Sequence, residues 1–113
     1  MSRPNLPPVV QLALAEAVGA LRSQFGTRLC EVRLFGSYAR GTAGPASDID
    51  LLVVLDRVAN SADRFAAMGT VIDAGLRHEL LLEPMVLGMA DLEHRRRCET
   101  ALAAAWDREG VTL

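Results

Sequence analysis

Residues 36–50 read Gly36-Ser-Tyr-Ala-Arg-Gly-Thr-Ala-Gly-Pro-Ala-Ser-Asp-Ile-Asp50, and they decide both the fold and the chemistry that the chain can support. The stretch follows one apolar run, residues 29–35, and its two aspartates open a second one, residues 51–55. Small residues between two apolar runs are typical of a loop that joins two strands. The stretch therefore predicts a loop at one end of a sheet, with carboxylates where the second strand begins.

The first half of this loop has the composition of a phosphate cradle. Gly36 permits a tight turn and lets a phosphate approach the backbone closely. Ser37 adds a hydroxyl donor, Arg40 adds a permanently charged fork suited to phosphate, and Gly41 leaves further room. Glycine and serine are also ordinary turn residues, so the loop alone does not decide between a cradle and a simple turn.

The two aspartates favour the functional interpretation. Side chains alternate along a strand, so Asp48 and Asp50 point to the same side with Cα atoms about 6.6 Å apart. Two carboxylates that converge to 4 Å repel by about 4 kcal/mol at an effective dielectric constant of 20. A hard dication reverses that repulsion, and Mg²⁺ prefers one or two carboxylates together with substrate phosphates. The pattern therefore predicts a magnesium and nucleotide site for phosphoryl or nucleotidyl transfer.

The motif of Gly36-Ser37, ten residues, then Asp48-x-Asp50 resembles the nucleotidyltransferase superfamily that includes DNA polymerase beta. The short chain and the motif Gly-Ser-Tyr-Ala-Arg-Gly at residues 36–41 resemble those of its minimal nucleotidyltransferases, which are often antitoxins paired with helical ribonuclease toxins. The resemblance implies that Gly36 and Ser37 hold the nucleotide's phosphates and that Asp48 and Asp50 bind two Mg²⁺ ions.

The resemblance also implies a third acid on the following strand, and here the chain departs from the usual aspartate. The strand expected at 80–87 offers Glu83, and Glu79 lies just before it. Glu83 interrupts an apolar run, which favours a metal-binding role, but a solvated strand edge beside Pro84 explains it equally well. The predicted catalytic and metal-binding set is therefore Asp48, Asp50 and Glu83.

Periodicity predicts an α/β (α+β) chain in which helices flank a small mixed sheet. Pro7 and Pro8 suit the start of a first helix, which Gly26 ends. Strands are expected at 29–35, at 48–55 in the sheet centre, and at 80–87, where Pro84 indicates an edge or a bulge. A second helix, capped by Asn60 or Ser61, and a last helix over 91–107 complete the order. The apolar positions expected to face the core are Val10, Leu14, Val18, Leu21 and Phe25 in the first helix, Phe65, Met68, Ile72 and Leu76 in the second, and Leu92, Leu102 and Trp106 in the last.

Composition bounds the remaining function classes. With 113 residues, half of them hydrophobic, residues 1–113 are expected to form one nucleotidyltransferase domain. A net charge of −2 argues against direct binding of nucleic acid, and the twelve basic residues include no lysine, which excludes lysine catalysis. Cys30 and Cys98 are expected to be reduced, buried thiols. Without a signal-type segment or a long apolar stretch, the chain is expected in the cytoplasm and off the membrane.

Three functions remain open at this stage. The first is Mg²⁺-dependent transfer of a nucleoside monophosphate from ATP or another nucleoside triphosphate to a protein partner, in a toxin–antitoxin pair or with a second subunit of a homo-oligomer completing the site. The second is a catalytically weak antitoxin module that binds nucleotide and neutralises its partner by occlusion. The third is transfer to a small molecule such as an antibiotic. Tyr38 is expected to pack or gate at the mouth of the site, and the run Arg95–Arg97 to be a solvated helix face.

Overall fold

The structure, a computed structural model, describes residues 6–36, 38, 48–97 and 110–113. Its elements begin with a long helix and a single 3-10 turn, Gly26–Arg28, which leads directly into the first strand. The helices and strands are α1 (Pro8–Phe25), β1 (Leu29–Phe35), β2 (Ile49–Leu55), α2 (Ser61–Leu76), β3 (Leu82–Gly88), α3 (Met89–Arg97) and β4 (Val111–Thr112). Within these ranges no helix has the length and hydropathy that crossing a bilayer requires.

The four strands form one mixed sheet with the spatial order β3-β2-β1-β4. β1 pairs antiparallel with both β2 and β4, while β2 and β3 run parallel. Every residue of β2 except Asp50 is buried, as expected for a strand covered on both faces. The predicted mixed sheet, its central strand and its flanking helices are confirmed. The two-residue strand β4 was not predicted, because two residues carry no readable period.

Alternation along the strands separates the sheet into two faces. Ile49, Leu51, Val53 and Leu55 of β2 pack with the buried residues of α1 and α2, and we call this side the α1–α2 face. Leu52 and Val54 pack with Leu87 and with Leu92 of α3, on what we call the α3 face. By the same alternation Asp50 belongs to the α3 face. The sheet is therefore the central layer, with two helices on one side and one on the other.

β3 is an edge strand, which confirms the position that Pro84 predicts. A proline cannot donate a ladder hydrogen bond, so it is tolerated where one side of the strand has no partner. Farther along β3, the Arg64 side chain donates to the Val86 carbonyl across 3.4 Å. A missing donor and an occupied acceptor both reduce the tendency of this edge to pair with another strand.

The predicted buried stripe of α2 is wrong. Phe65 and Leu76 are exposed, at 69% and 57% of their surface, and Met68 and Ile72 are half-buried. The buried residues are instead small ones, Ala67, Val71, Ala74 and Gly75. A Cβ at Gly75 would lie 2.7 Å from the Leu80 carbonyl oxygen, so close packing selects small side chains on this face. The large apolar residues turn outward because the helix lies too near its neighbours to admit them.

Cys30 was predicted to be buried, and it is exposed with a free thiol. The register of β1 against β2 shifts between Leu29 and Glu31, so the alternation that places Val32 and Leu34 inside does not extend to residue 30. The last helix begins at Met89 rather than at residue 91, and Leu92 is buried in it as predicted. Leu102, Trp106 and Cys98 lie outside the described residues.

Candidate active site

One end of the sheet collects the predicted site residues. β1 ends there, whereas β2 and the parallel strand β3 begin there. In the ladder Asp50 stands opposite Phe35 on one side and opposite Glu83 on the other. Neighbouring strands lie about 4.8 Å apart, so the carboxylates of Asp50 and Glu83 project side by side from the α3 face. Asp48 precedes β2 by one residue and is two residues from Asp50, so the alternation of side chains places both on the same face.

Gly36 follows the last residue of β1 and lies next to the Asp50 side chain. Its φ of +78° lies in the left-handed region, which glycine adopts without steric cost. A Cβ built on Gly36 would lie 2.6 Å from Oδ2 of Asp50, inside any real contact distance. The space that a side chain would fill at residue 36 is therefore occupied by the Asp50 carboxylate. Glycine is required here on both conformational and steric grounds.

The three carboxylates are electrostatically coupled. The pKa of Glu83 is raised, first by the charge of Asp48, then by partial desolvation, by the charge of Asp50 and by a side-chain hydrogen bond with Asp50. Each of these effects favours the protonated form of Glu83. In the free protein this end of the sheet therefore carries an unfavourable accumulation of negative charge.

Such a set fits a hard divalent cation. Carboxylate oxygens are the ligands that Mg²⁺ prefers, and a dication would offset the repulsion among the three carboxylates. Among the described residues, no three acidic, histidine or cysteine side chains are already gathered into a ready-made metal site. The fit therefore rests on the donor type, the shared face and the coupling of the three charges, and coordination requires the side chains to move together.

Of the predicted site residues, the structure brings together Gly36, Asp48, Asp50 and Glu83. Ser37, Arg40 and Gly41 lie outside the described residues. Between the two candidate third acids, Glu83 stands beside Asp50 in the ladder. Glu79 lies instead in the turn after α2, with a φ of 57° and its backbone N–H donating to the Leu76 carbonyl.

Two aromatic residues lie near the site, and only the place of Phe35 was not predicted from the sequence. Phe35 is the ladder partner of Asp50 and packs on the α3 face. Tyr38 is half-buried and packs against the core of the α1–α2 face, which agrees with a packing role. Pairing the two apolar runs antiparallel about the loop would have located Phe35 beside the aspartates.

A groove of about 620 Å³ lies elsewhere, along α1 and the β4 side of the sheet. Leu14, Val18, Leu34 and Val111 are among its lining residues, and none of the three carboxylates lines it. The carboxylates instead face outward at the sheet end, where Asp48 and Glu83 are exposed. The candidate site therefore lies outside this groove.

The sequence profile of a nucleotidyltransferase domain matches residues 14–97, more than half of the chain and including Gly36, Asp48, Asp50 and Glu83. The chain belongs to the nucleotidyltransferase domain family. Protein adenylyltransferase MntA of Thermococcus cleftensis is 38% identical over 65 residues, which cover 56% of this chain and 63% of that protein. MJ1305 of Methanocaldococcus jannaschii, provisionally named a protein adenylyltransferase, is 35% identical over 81 residues, 70% of this chain and 55% of that protein.

The chain thus spans little more than half the length of these two relatives. Among solved structures, a chain in a crystal structure of a toxin–antitoxin with AMP-PNP matches with a TM-score of 0.56 at 23% identity. The match covers 85% of this chain and 68% of that chain. A second solved structure, provisionally named a minimal nucleotidyltransferase, matches with a TM-score of 0.59 at 27% identity over 93% of this chain and 95% of that chain. This likeness confirms the nucleotidyltransferase fold that the motif predicts.

Proposed function

We propose that this chain is a Mg²⁺-dependent nucleotidyltransferase that moves a nucleoside monophosphate from a nucleoside triphosphate, ATP in the first instance, to a hydroxyl group of a partner protein. The observation that carries the proposal is the coupling of Glu83 to Asp48 and Asp50 at the sheet end where Gly36 leaves room for the Asp50 carboxylate. Asp48, Asp50 and Glu83 are the proposed catalytic and metal-binding residues, and two bound Mg²⁺ ions would neutralise the triphosphate there.

In the proposed reaction the acceptor oxygen forms a bond to the α-phosphorus of the nucleotide. The bond from that phosphorus to the oxygen bridging the β-phosphate breaks, and pyrophosphate leaves with the electron pair. The hydroxyl proton passes to a carboxylate of the site. Gly36, together with Ser37, Arg40 and Gly41, is proposed to hold the phosphates through backbone N–H groups and the guanidinium. Positioning and charge stabilisation supply most of such catalysis.

A protein acceptor is supported by the names of the relatives and by the open site. Two relatives are named for protein adenylyltransfer, and one matching chain comes from a toxin–antitoxin structure. The exposed carboxylates at the sheet end leave little of the described chain to orient an acceptor. We therefore propose a helical toxin as partner, with this chain acting as a single-domain antitoxin, residues 1–113, in the cytoplasm. A second subunit of a homo-oligomer could complete the site instead.

The test is transfer of label from ATP carrying the label at its α-phosphorus. The purified chain is incubated with Mg²⁺ and, in parallel, with a candidate helical partner and with a panel of small hydroxyl compounds. We expect label on the partner, and none when the label is at the γ-phosphorus, which separates nucleotidyl from phosphoryl transfer. Asp50→Asn and Glu83→Gln should each reduce transfer by about 10²-fold or more. Glu79→Gln, in the turn after α2, is the matched control and should transfer normally.

Three results would contradict the proposal in different ways. Label on a small compound alone would support an antibiotic-type acceptor. A partner that is neutralised without any label would support binding by occlusion. Equal loss of transfer in Glu79→Gln and Glu83→Gln would remove the assignment of Glu83 as the third carboxylate.

A further inference from the structure

The chain crosses the sheet within four residues where β1 ends. Phe35, the last residue of β1, packs on the α3 face beside Leu52 and Leu87. Tyr38 packs against the core of the opposite, α1–α2 face. Gly36 lies between these two aromatic contacts, in its left-handed conformation above the Asp50 carboxylate. Aromatic contacts on opposite faces of the sheet therefore flank Gly36.

The Tyr38 contact is made by the ring. The side chain is half-buried and packs against the core of the α1–α2 face. Aromatic rings contribute large apolar contact areas with few rotatable bonds, so they suit the fixing of a short segment.

We infer that Tyr38 is a positioning residue whose ring anchors the phosphate-binding turn over Asp50 and thereby sets the affinity for the nucleotide donor. The inference rests on the proposed function, because it assigns the turn to the donor's phosphates. Backbone N–H groups act on a phosphate only when they are held in place. A displacement of about 1 Å in a positioning group can cost about 10²-fold in rate. Loss of the ring should therefore weaken donor binding while the acceptor site is unaffected.

Three variants separate the ring from the hydroxyl and from a general loss of packing. Tyr38→Phe keeps the ring, and Tyr38→Ala removes it. Phe65→Ala is the matched control, because it removes a ring that is 69% exposed on α2. For each variant we would measure the dissociation constant of Mg²⁺·AMP-PNP, the KM for ATP and for the acceptor, and amide hydrogen exchange in the peptide that carries Gly36 and Tyr38. All assays run well below the melting temperature of each variant.

In Tyr38→Ala we expect the dissociation constant of the nucleotide and the KM for ATP to rise about tenfold, equivalent to about 1.4 kcal/mol. The KM for the acceptor should stay within about twofold, and exchange in the peptide of Gly36 and Tyr38 should become faster. Tyr38→Phe and Phe65→Ala should match the wild type in every measurement. A purely structural role would lower the melting temperature without separating the two KM values.

Two results would overturn the inference. Wild-type nucleotide affinity and unchanged exchange in Tyr38→Ala would show that the ring does not anchor the turn. An equal loss in Tyr38→Phe would assign the role to the hydroxyl. If the wild type binds no nucleotide, the proposed function fails, and the inferred role in donor affinity is overturned with it. The exchange data would then still show whether the ring orders the turn.

Discussion

The two ends of the β1–β2 hairpin handle charge in opposite ways. At one end Phe35 faces Asp50, and three carboxylates gather with the pKa of Glu83 raised by Asp48, by desolvation and by Asp50. At the other end Leu29 faces Leu55, and Arg28 donates to Asp56 at 3.3 Å and to Asp63 at 2.9 Å. There the pKa of Asp63 is lowered, chiefly by its hydrogen bond with Arg28 and then by the Ala59 N–H.

The difference separates an ion-paired end from an end where carboxylates repel one another. Because the folded pKa of Glu83 is raised, its ionisation opposes folding, and this penalty develops as pH rises past the unfolded-state value. The folded pKa of Asp63 is lowered, so its pairing stabilises the fold above the unfolded-state value and is lost as pH falls through the folded one. Glu83 is exposed and Asp63 is half-buried, so salt weakens both effects, and more strongly for Glu83. The carboxylate end is the one that gains from a bound cation.

The largest expected effect comes from placing a methyl group at Gly36. Gly36→Ala introduces a side chain at a left-handed φ, which costs about 1–2 kcal/mol, and moves it against Oδ2 of Asp50. We expect a lower melting temperature and at least a tenfold loss of Mg²⁺·ATP affinity. Gly19→Ala is the control, because nothing lies within 4 Å of its added Cβ in the middle of α1. The free energy of unfolding of Gly19→Ala should be higher than that of the wild type by about 0.5–1 kcal/mol, because alanine loses less conformational freedom in a helix than glycine does. Equal nucleotide affinity in the two variants would show that residue 36 is only a turn.

Removing one charge from the carboxylate end should stabilise the free protein. At neutral pH without Mg²⁺, Glu83→Gln should melt a few degrees higher than the wild type, because it relieves repulsion from Asp48 and Asp50. The gain should shrink as pH is lowered and Glu83 becomes protonated in the wild type, and it should shrink with added salt. Glu79→Gln serves as control and should melt like the wild type. A lower melting temperature for Glu83→Gln would contradict the proposed repulsion.

The smallest effect on stability is expected at the end of the hairpin where Arg28 pairs with Asp56 and Asp63. Asp63→Asn should lower the melting temperature slightly at neutral pH, because it removes the acceptor of Arg28 and of the Ala59 N–H. The difference from the wild type should vanish as pH falls through the folded pKa of Asp63. Asp73→Asn, an exposed position on the same helix, is the control and should show no such pH dependence. The measurement is a set of melting curves for both proteins across a pH series. A difference in melting temperature that does not depend on pH would contradict the ion-pair explanation.

The order of elements and the strand β2 were readable from the sequence because their signals are local. The strand Leu29–Phe35 was predicted with its observed bounds. The continuous run of Leu and Val residues predicted the central strand, whose burial the structure shows. The outward turn of Phe65 and Leu76 was not predictable from periodicity, since it depends on how closely α2 approaches its neighbours. The exposure of Cys30 depends on a register shift between two strands, which no local pattern records.

The site could be predicted as far as spacing along one strand determines it. Asp48 and Asp50 share a face because strand side chains alternate. Glu83 was chosen over Glu79 because it interrupts an apolar run, and its place beside Asp50 follows from the parallel register of β3 against β2, which the sequence does not record. The packing of Phe35 and Tyr38 on opposite faces is a tertiary property of the chain's path around the end of β1, and residue types alone do not specify it.

The most direct test of the account is the titration of the Glu83 side-chain carboxyl, followed by NMR with a ¹³C label. In the free protein its pKa should lie above the ordinary glutamate value and should fall in Asp48→Asn, which removes the largest cause of the shift. Mg²⁺ with a non-hydrolysable ATP analogue should also lower it, because a dication favours the ionised carboxylate. A Glu83 titration that is the same with and without Mg²⁺ and nucleotide would contradict a metal-dependent site at this end of the sheet.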